Sequence, residues 1–344
     1  MNRKHFLASA GALAAGAFLS KASQAAVQDP GPKSEAFRRP PSLKPGDTIA
    51  ITSPAGTITV AELTPAVAVL ESWGFKVRLG NTIGKKDFTL GGTDAERAAD
   101  LQALLDDPSV KAIMCARGGY GSVRIVDHLV WDRFRKHPKW VIGFSDITVL
   151  LNHIHTVCRT AAIHSKMCNS FPDDWSKAEP IQVETILSIR DALEGRKLSY
   201  EAAVNPANRP GTAAGILVGG NLKTIESLAG SATDLTTTGK ILFVEDTGEY
   251  LYSIDRMFWN LKRSGKLDRL KGLVVGGFKV KPDDPGDEFG RTVQDIVLDR
   301  VKTFRYPVCF DFPVGHQRAN FALVCGVRHL LSVAADKVTL TQSA

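Results

Sequence analysis

From Thr48 onward the chain alternates short apolar runs with amphipathic stretches, at a spacing that few architectures satisfy. TIAITSPAG reads as a strand running into a Pro/Gly turn, and 60–73 has helical spacing with Gly74 as its stop. FKVRLG is the next strand and 94–105 an amphipathic helix. VKAIMCARGG is a buried strand that breaks into a glycine loop, with a helix predicted over 122–129. WVIGFSD is a further strand, and 147–155 opens the helix after it. Such alternation requires a parallel sheet covered on both faces, with ligand chemistry at the C-terminal strand ends. Both RGGYG and GFSD fall at such ends.

The pattern changes near Asn205, where NPANRPG carries a Pro/Gly/Asn linker signal. Short strands follow (AAGILVGG, KILFVED, GLVVGGF and a final HLLSVAADKVTLTQ), with helices over 221–228 and 253–264. The expected fold is therefore α/β: an N-terminal doubly wound, mainly parallel sheet with helices on both faces, plus a smaller β-rich C-terminal domain. A length of 344 residues suits two domains. The expected boundaries are a signal peptide over 1–26, a linker over 27–45, an α/β domain over 46–204 and a β-rich domain over 205–344.

Arg3 and Lys4 precede the Ala/Leu-rich stretch 6–19, and small residues at 22–26 offer a cleavage site. The stretch is short for a membrane span. Its order is that of an export signal, Sec or Tat-like, which predicts a periplasmic or exported protein. The proline-rich segment 27–45 reads as a disordered tether. Net charge is +7, with the basic residues scattered. Nucleic-acid binding would need a concentrated stripe or a known motif, and neither is present. The five cysteines cannot all pair. Buried free thiols are expected for most, with a Cys158–Cys168 bridge as the one pairing considered. No Cys or His spacing suggests a metal, and no cofactor motif is found.

Three separated segments carry the chemistry: GFSD (143–146), FVEDTGE (243–249) and FPVGH (312–316). They supply a hydroxyl, a carboxylate and an imidazole, the groups acyl transfer needs for a nucleophile, an orienter and a base. The order Ser…acid…His is that of the α/β-hydrolases, although G-x-S-x-G is absent. Ser145 lies between strand and helix, where a neighbouring N–H and the helix start favour an oxyanion, though Ser there also suits an N-cap. Arg117-Gly118-Gly119-Tyr120-Gly121 reads as a backbone donor loop; a phosphate loop lacks its spacing, and a plain turn remains the rival. Asp246 and Glu249 compete with Glu245, while His164 and the pair His153/His155 compete with His316.

Taken together, RGGYGSVRIVD, WVIGFSDITVLL, TAAIH, GGNLKTIESLAG, ILFVEDTGEYLYSIDRMFWNL and FDFPVGH resemble the LD-carboxypeptidases of serine peptidase class S66, which include the microcin C self-immunity hydrolases. The resemblance spans about residues 44–335 and departs at His164-Ser165-Lys166, where the family usually has His-Gly-Pro. It implies Ser145 as nucleophile, Glu245 as orienting acid and His316 as base. The oxyanion hole would use the N–H of Asp146 and of Gly118 or Gly119. The implied reaction hydrolyses the amide to a C-terminal D-residue, as in a murein tetrapeptide losing D-Ala, without metal or cofactor. Arg117, Arg256 and Lys166 are the candidate cations for the substrate carboxylate, and Trp175 a candidate stacking surface. Partners reduce to a small muropeptide-like substrate, with no nucleic acid and no stable membrane anchor, and a homodimer left open. Two other readings stand beside this one: a microcin-C-type acyl-nucleotide hydrolase, and a non-catalytic periplasmic ligand-binding protein.

Overall fold

The computed structural model describes residues 37–343; the predicted signal segment lies outside them. The first sheet contains β1 (Thr48–Thr52), β2 (Lys76–Leu79), β3 (Val110–Cys115), β4 (Trp140–Gly143) and β5 (Ala162–His164), all parallel. The second contains β6 (Ser199–Ala202), β7 (Gly211–Asn221), β8 (Ile241–Thr247), β9 (Gly272–Lys279) and β10 (Val308–Cys309). β11 (Leu323–Cys325) then returns to the first sheet, antiparallel to β5, giving the order β11-β5-β4-β3-β1-β2. β12 (Arg328–Val333) and β13 (Val338–Gln342) complete the second sheet as β10-β9-β8-β7-β12-β13-β6.

Helices α1 (Val60–Ser72), α2 (Asp94–Asp106), α3 (Asp132–Lys136), α4 (Thr148–Thr156) and α5 (Pro180–Leu193) serve the first half. Helices α6 (Leu222–Ser227), α7 (Leu251–Arg263) and α8 (Val293–Val301) serve the second. Capping boxes start α1 (Thr59/Glu62), α2 (Thr93/Glu96) and α8 (Thr292/Asp295), each satisfying backbone donors that the first turn leaves open.

Strand alternation sorts the core into layers. Ile49, Ile51, Met114 and Ile142 from the first sheet share a core with Ile241, Phe243 and Val274 from the second, together with α1 and α5. The other face of the first sheet (Ala50, Ile113, Val141) packs on α2 and α4. The other face of the second (Leu242, Val244, Leu273) packs on α7 and α8. Burying Phe243 alone contributes about 2–3 kcal/mol.

The structure departs from expectation in three places. Residues 122–129 form two single 3₁₀ turns, because the Ser122 N–H is taken by Asp146 Oδ2 at 2.8 Å and Gly121 sits at φ +132°. The final run is a hairpin, with Val333 opposite Val338. Residues 37–45 lie against the body: Leu43 is buried, and its N–H donates to the Leu193 carbonyl. The cysteines meet the expectation of buried free thiols: all five are buried and free, so Cys158 and Cys168 do not pair. Among the described residues, no helix is long and apolar enough to cross a membrane.

Candidate active site

Ser145 follows β4 at the point where the strand leaves the sheet. Its φ is +62°, a left-handed conformation that a non-glycine residue holds at a cost of about 1–3 kcal/mol. A 3₁₀ turn over Ser145–Ile147 leads directly into α4, so the hydroxyl is presented on a sharp corner. The 117–121 loop closes over that corner. A Cβ added to Gly118 would lie 2.9 Å from Ser145 Cβ and 3.1 Å from its Oγ, so only glycine lets the loop backbone come this close. Gly119 is left-handed, at φ +102°. The buried Asp146 carboxylate holds the loop by accepting from Ser122 N–H.

Glu245 is selected from its neighbours by the period of β8. Ile241, Phe243 and Glu245 share the face turned toward the first sheet, whereas Leu242 and Val244 face α7 and α8. Glu245 is fully buried, and its Oε2 meets His316 Nδ1 at 2.6 Å and the His316 N–H at 3.2 Å. The turn carrying His316 fits against this carboxylate because Gly315 has no side chain. A Cβ there would lie 2.4 Å from Glu245 Cβ, and the residue sits at φ +102°. The Gly315 N–H donates to Asn320 Oδ1 at 2.9 Å, which fixes the turn.

His316 Nε2 in turn stands 3.2 Å from Ser145 Oγ. With the Nδ1 proton donated to the carboxylate, Nε2 is left as an acceptor for the serine O–H. Phe144 packs on the imidazole with ring centroids 4.9 Å apart. Hydroxyl, imidazole and carboxylate thus form one chain of hydrogen bonds across the two sheets, although 171 positions separate Ser145 from His316. This chain can activate a hydroxyl and stabilise an imidazolium.

The rival groups are engaged elsewhere. Asp246 accepts from Lys223 N–H at 2.8 Å, Thr247 N–H at 2.7 Å and Asn221 Nδ2 at 3.2 Å, tying the start of α6 to β8; burial pushes its carboxyl up to about 6. Glu249 accepts from Ser253 Oγ at 2.6 Å. His153 meets Thr233, and His155 meets Lys240. His164 is buried beside Phe144 and Phe243, and burial depresses its imidazole to about 3, so it stays neutral.

A cleft of about 370 Å³ opens beside Ser145, between Tyr120 and Gly119 on one side and Asn221, Lys223 and Glu249 on the other. Lys223 was not among the cations expected from sequence, although its position two residues after Asn221, which ends β7 beside β8, marks it as a site neighbour. Arg117 Nη1 donates to the Thr57 carbonyl at 3.1 Å. Arg256 is exposed over the Tyr252 ring. Trp175 is half-buried against the main core and does not line the cleft. No group of His, Cys, Asp and Glu among the described residues is arranged to hold a metal ion.

Residues 49–165 match the LD-carboxypeptidase N-terminal domain and residues 214–331 the LD-carboxypeptidase C-terminal domain. A probable murein peptide carboxypeptidase of Bacillus subtilis is 32% identical over 302 residues, covering 86% of this chain and 92% of its own. The crystal structure of a muramoyltetrapeptide carboxypeptidase from Oxalobacter formigenes superposes with TM-score 0.74 at 27% identity, over 86% of this chain and 99% of that one. An MccF-like protein from Bacillus anthracis shares the fold, with TM-score 0.77 at 23% identity over 89% and 99% of the two chains. With both halves matched and the fold shared throughout, this chain belongs to the LD-carboxypeptidase family of serine peptidases.

Proposed function

We propose that Ser145, His316 and Glu245 are the catalytic triad of an LD-carboxypeptidase that removes the terminal D-residue from a murein tetrapeptide. The observation that carries this reading is a single imidazole bonded at once to Ser145 Oγ and to a fully buried Glu245. His316 Nε2 takes the hydroxyl proton as Oγ attacks the scissile carbonyl. The oxyanion forms against the Asp146 N–H and the amide of Gly118 or Gly119, a reading supported by the close approach of Gly118 to Ser145. The Glu245 carboxylate accepts from Nδ1 and stabilises the imidazolium, which then gives its proton to the leaving amine. Water, activated by the same imidazole, clears the acyl-enzyme.

The names borne by the Bacillus and Oxalobacter relatives support a murein peptide as substrate. The acyl-nucleotide reading would use Trp175 as a stacking surface, and that side chain is half-buried against the core and does not line the cleft beside Ser145. Incubation with defined muropeptide tetra- and tripeptides, read by mass spectrometry, tests the reaction. Loss of D-Ala from the tetrapeptide alone is expected, and no release, or undiminished release by Ser145→Ala, would exclude it.

The site of action proposed is outside the cytoplasm, from the charged, apolar and small-residue order of residues 1–26. N-terminal sequencing of protein from fractionated cells should find a start near Ala26 or Val27. An intact Met1 in the soluble cytoplasmic fraction would refute export.

A further inference from the structure

A carboxypeptidase must recognise a free carboxylate, which a cation or a set of backbone N–H donors one residue beyond the scissile bond can hold. Of the four candidate cations, three are hydrogen-bonded to the backbone or exposed to solvent. Arg117 donates to a backbone carbonyl, Arg256 is exposed over an aromatic ring, and Lys223 is exposed on the outer wall of the cleft. Lys166 differs. The residue is only 6% exposed, its stem is buried, and its ammonium, which keeps contact with solvent, makes no hydrogen bond or ion pair among the described residues. Glu179, whose field reaches it, is held by Arg318. Burial lowers the Lys166 ammonium to about 8, so it is charged at neutral pH. A largely buried stem that leads an unpaired ammonium to solvent leaves that charge available to an anion supplied by a ligand.

Its position is set by the sheet. β5 runs parallel to β4 with His164 opposite Gly143, and the Ser165 N–H donates to the Gly143 carbonyl at 3.2 Å. Ser145 and Lys166 therefore lie the same two residues beyond a paired couple, on adjacent strands. Next in the chain, the Met167 methyl lies 3.4 Å from the point where a Gly118 Cβ would sit, and Ser145 Cβ lies 2.9 Å from that same point. The Asn169 N–H donates to the Ala116 carbonyl at 3.2 Å, fixing this corner against the glycine loop. Adjacent strands are about 4.8 Å apart. In a C-terminal residue, the carboxylate carbon is three bonds from the scissile carbonyl carbon. A cation one strand from the nucleophile has the reach this requires.

We propose that Lys166 docks the C-terminal carboxylate of the substrate and so restricts this hydrolase to the last residue of a peptide. The assignment rests on Ser145 as the nucleophile. The test is calorimetric binding to Ser145→Ala protein of the tetrapeptide L-Ala-γ-D-Glu-meso-diaminopimelyl-D-Ala and of its C-terminal amide. The acid is expected to bind at least about thirtyfold more tightly than the amide. Adding Lys166→Met, which removes the charge at nearly constant volume and should leave folding intact, is expected to abolish that preference while amide affinity holds. Lys166→Arg should restore part of it. Equal affinity for acid and amide, or a preference that survives Lys166→Met, would overturn the proposal. Because binding is read without turnover, an acid preference lost in Lys166→Met supports the docking role even if the wild-type protein releases no D-Ala, which would count against the reaction alone.

Discussion

Replacing Gly118 by alanine probes the site through one methyl group. Gly118 does not hold a left-handed φ, so alanine is conformationally allowed there and the effect is steric. The new Cβ would stand 2.9 Å from Ser145 Cβ, 3.1 Å from Ser145 Oγ and 3.4 Å from Met167 Cε. Carbon–carbon contacts prefer about 3.5 Å or more, so loop and serine must separate by about 0.6 Å. Ser145 has little slack, being already left-handed at φ +62° and followed at once by a helical turn. A displacement of that size turns the 3.2 Å contact with His316 into one too long for a hydrogen bond, and moves the oxyanion donors relative to the nucleophile. Misplacements near 1 Å cost about 100-fold in rate, or about 2.7 kcal/mol in barrier. The expected result is a fall in kcat of about 30- to 100-fold for D-Ala release. Urea unfolding should show a loss of no more than about 2 kcal/mol, since one overpacked methyl costs about 1–3 kcal/mol. A kcat within threefold of wild type would refute the geometry, as would a variant that loses activity only because it unfolds.

Ser145→Ala and His316→Ala should each abolish nearly all turnover in folded protein, and the double variant should be little worse than either, because the groups act as a unit; additive losses in the same D-Ala assay would contradict this. Glu245→Gln should slow turnover less than Ser145→Ala, since the nucleophile remains and only imidazole orientation and charge are lost; an equal loss would argue against an orienting role. Asp246 is held near 6 in the fold against an ordinary 3.8, so the native state binds more protons than the unfolded chain between those values. Stability from this group therefore falls as pH rises from about 4 to about 6, by roughly 3 kcal/mol at most, and Asp246→Asn should flatten that slope in urea titrations. An unchanged slope would show that Asp246 does not titrate there. Gly315→Ala should lower both stability and kcat, because its Cβ collides with Glu245 at a left-handed position; wild-type values in unfolding and turnover would refute the packing.

The alternation of strands and helices over the first half was legible in the chain because parallel strands, buried on both faces, appear as apolar runs broken by glycine and proline. Ser145 and His316 were legible for a chemical reason, since a hydroxyl and an imidazole at strand ends are few enough to single out. The choice of Glu245 over Asp246 was half legible. The β8 period separates the two faces, but only the packed partner sheet says which face meets His316. Other features lay beyond local pattern. β11 joins the first sheet beside β5, and no local signal in a three-residue strand tells which distant strand it will pair with. Likewise the 122–129 segment has helical composition but surrenders its first donor to Asp146 from another strand end. Choosing among the cations was entirely tertiary, because sequence records charge but not solvation. Sequence by itself determined the layers, the order of chemical groups and the family. Tertiary structure alone decided which carboxylate meets the imidazole and which lysine stands one strand from Ser145, because both depend on contacts between strands that are remote in the chain.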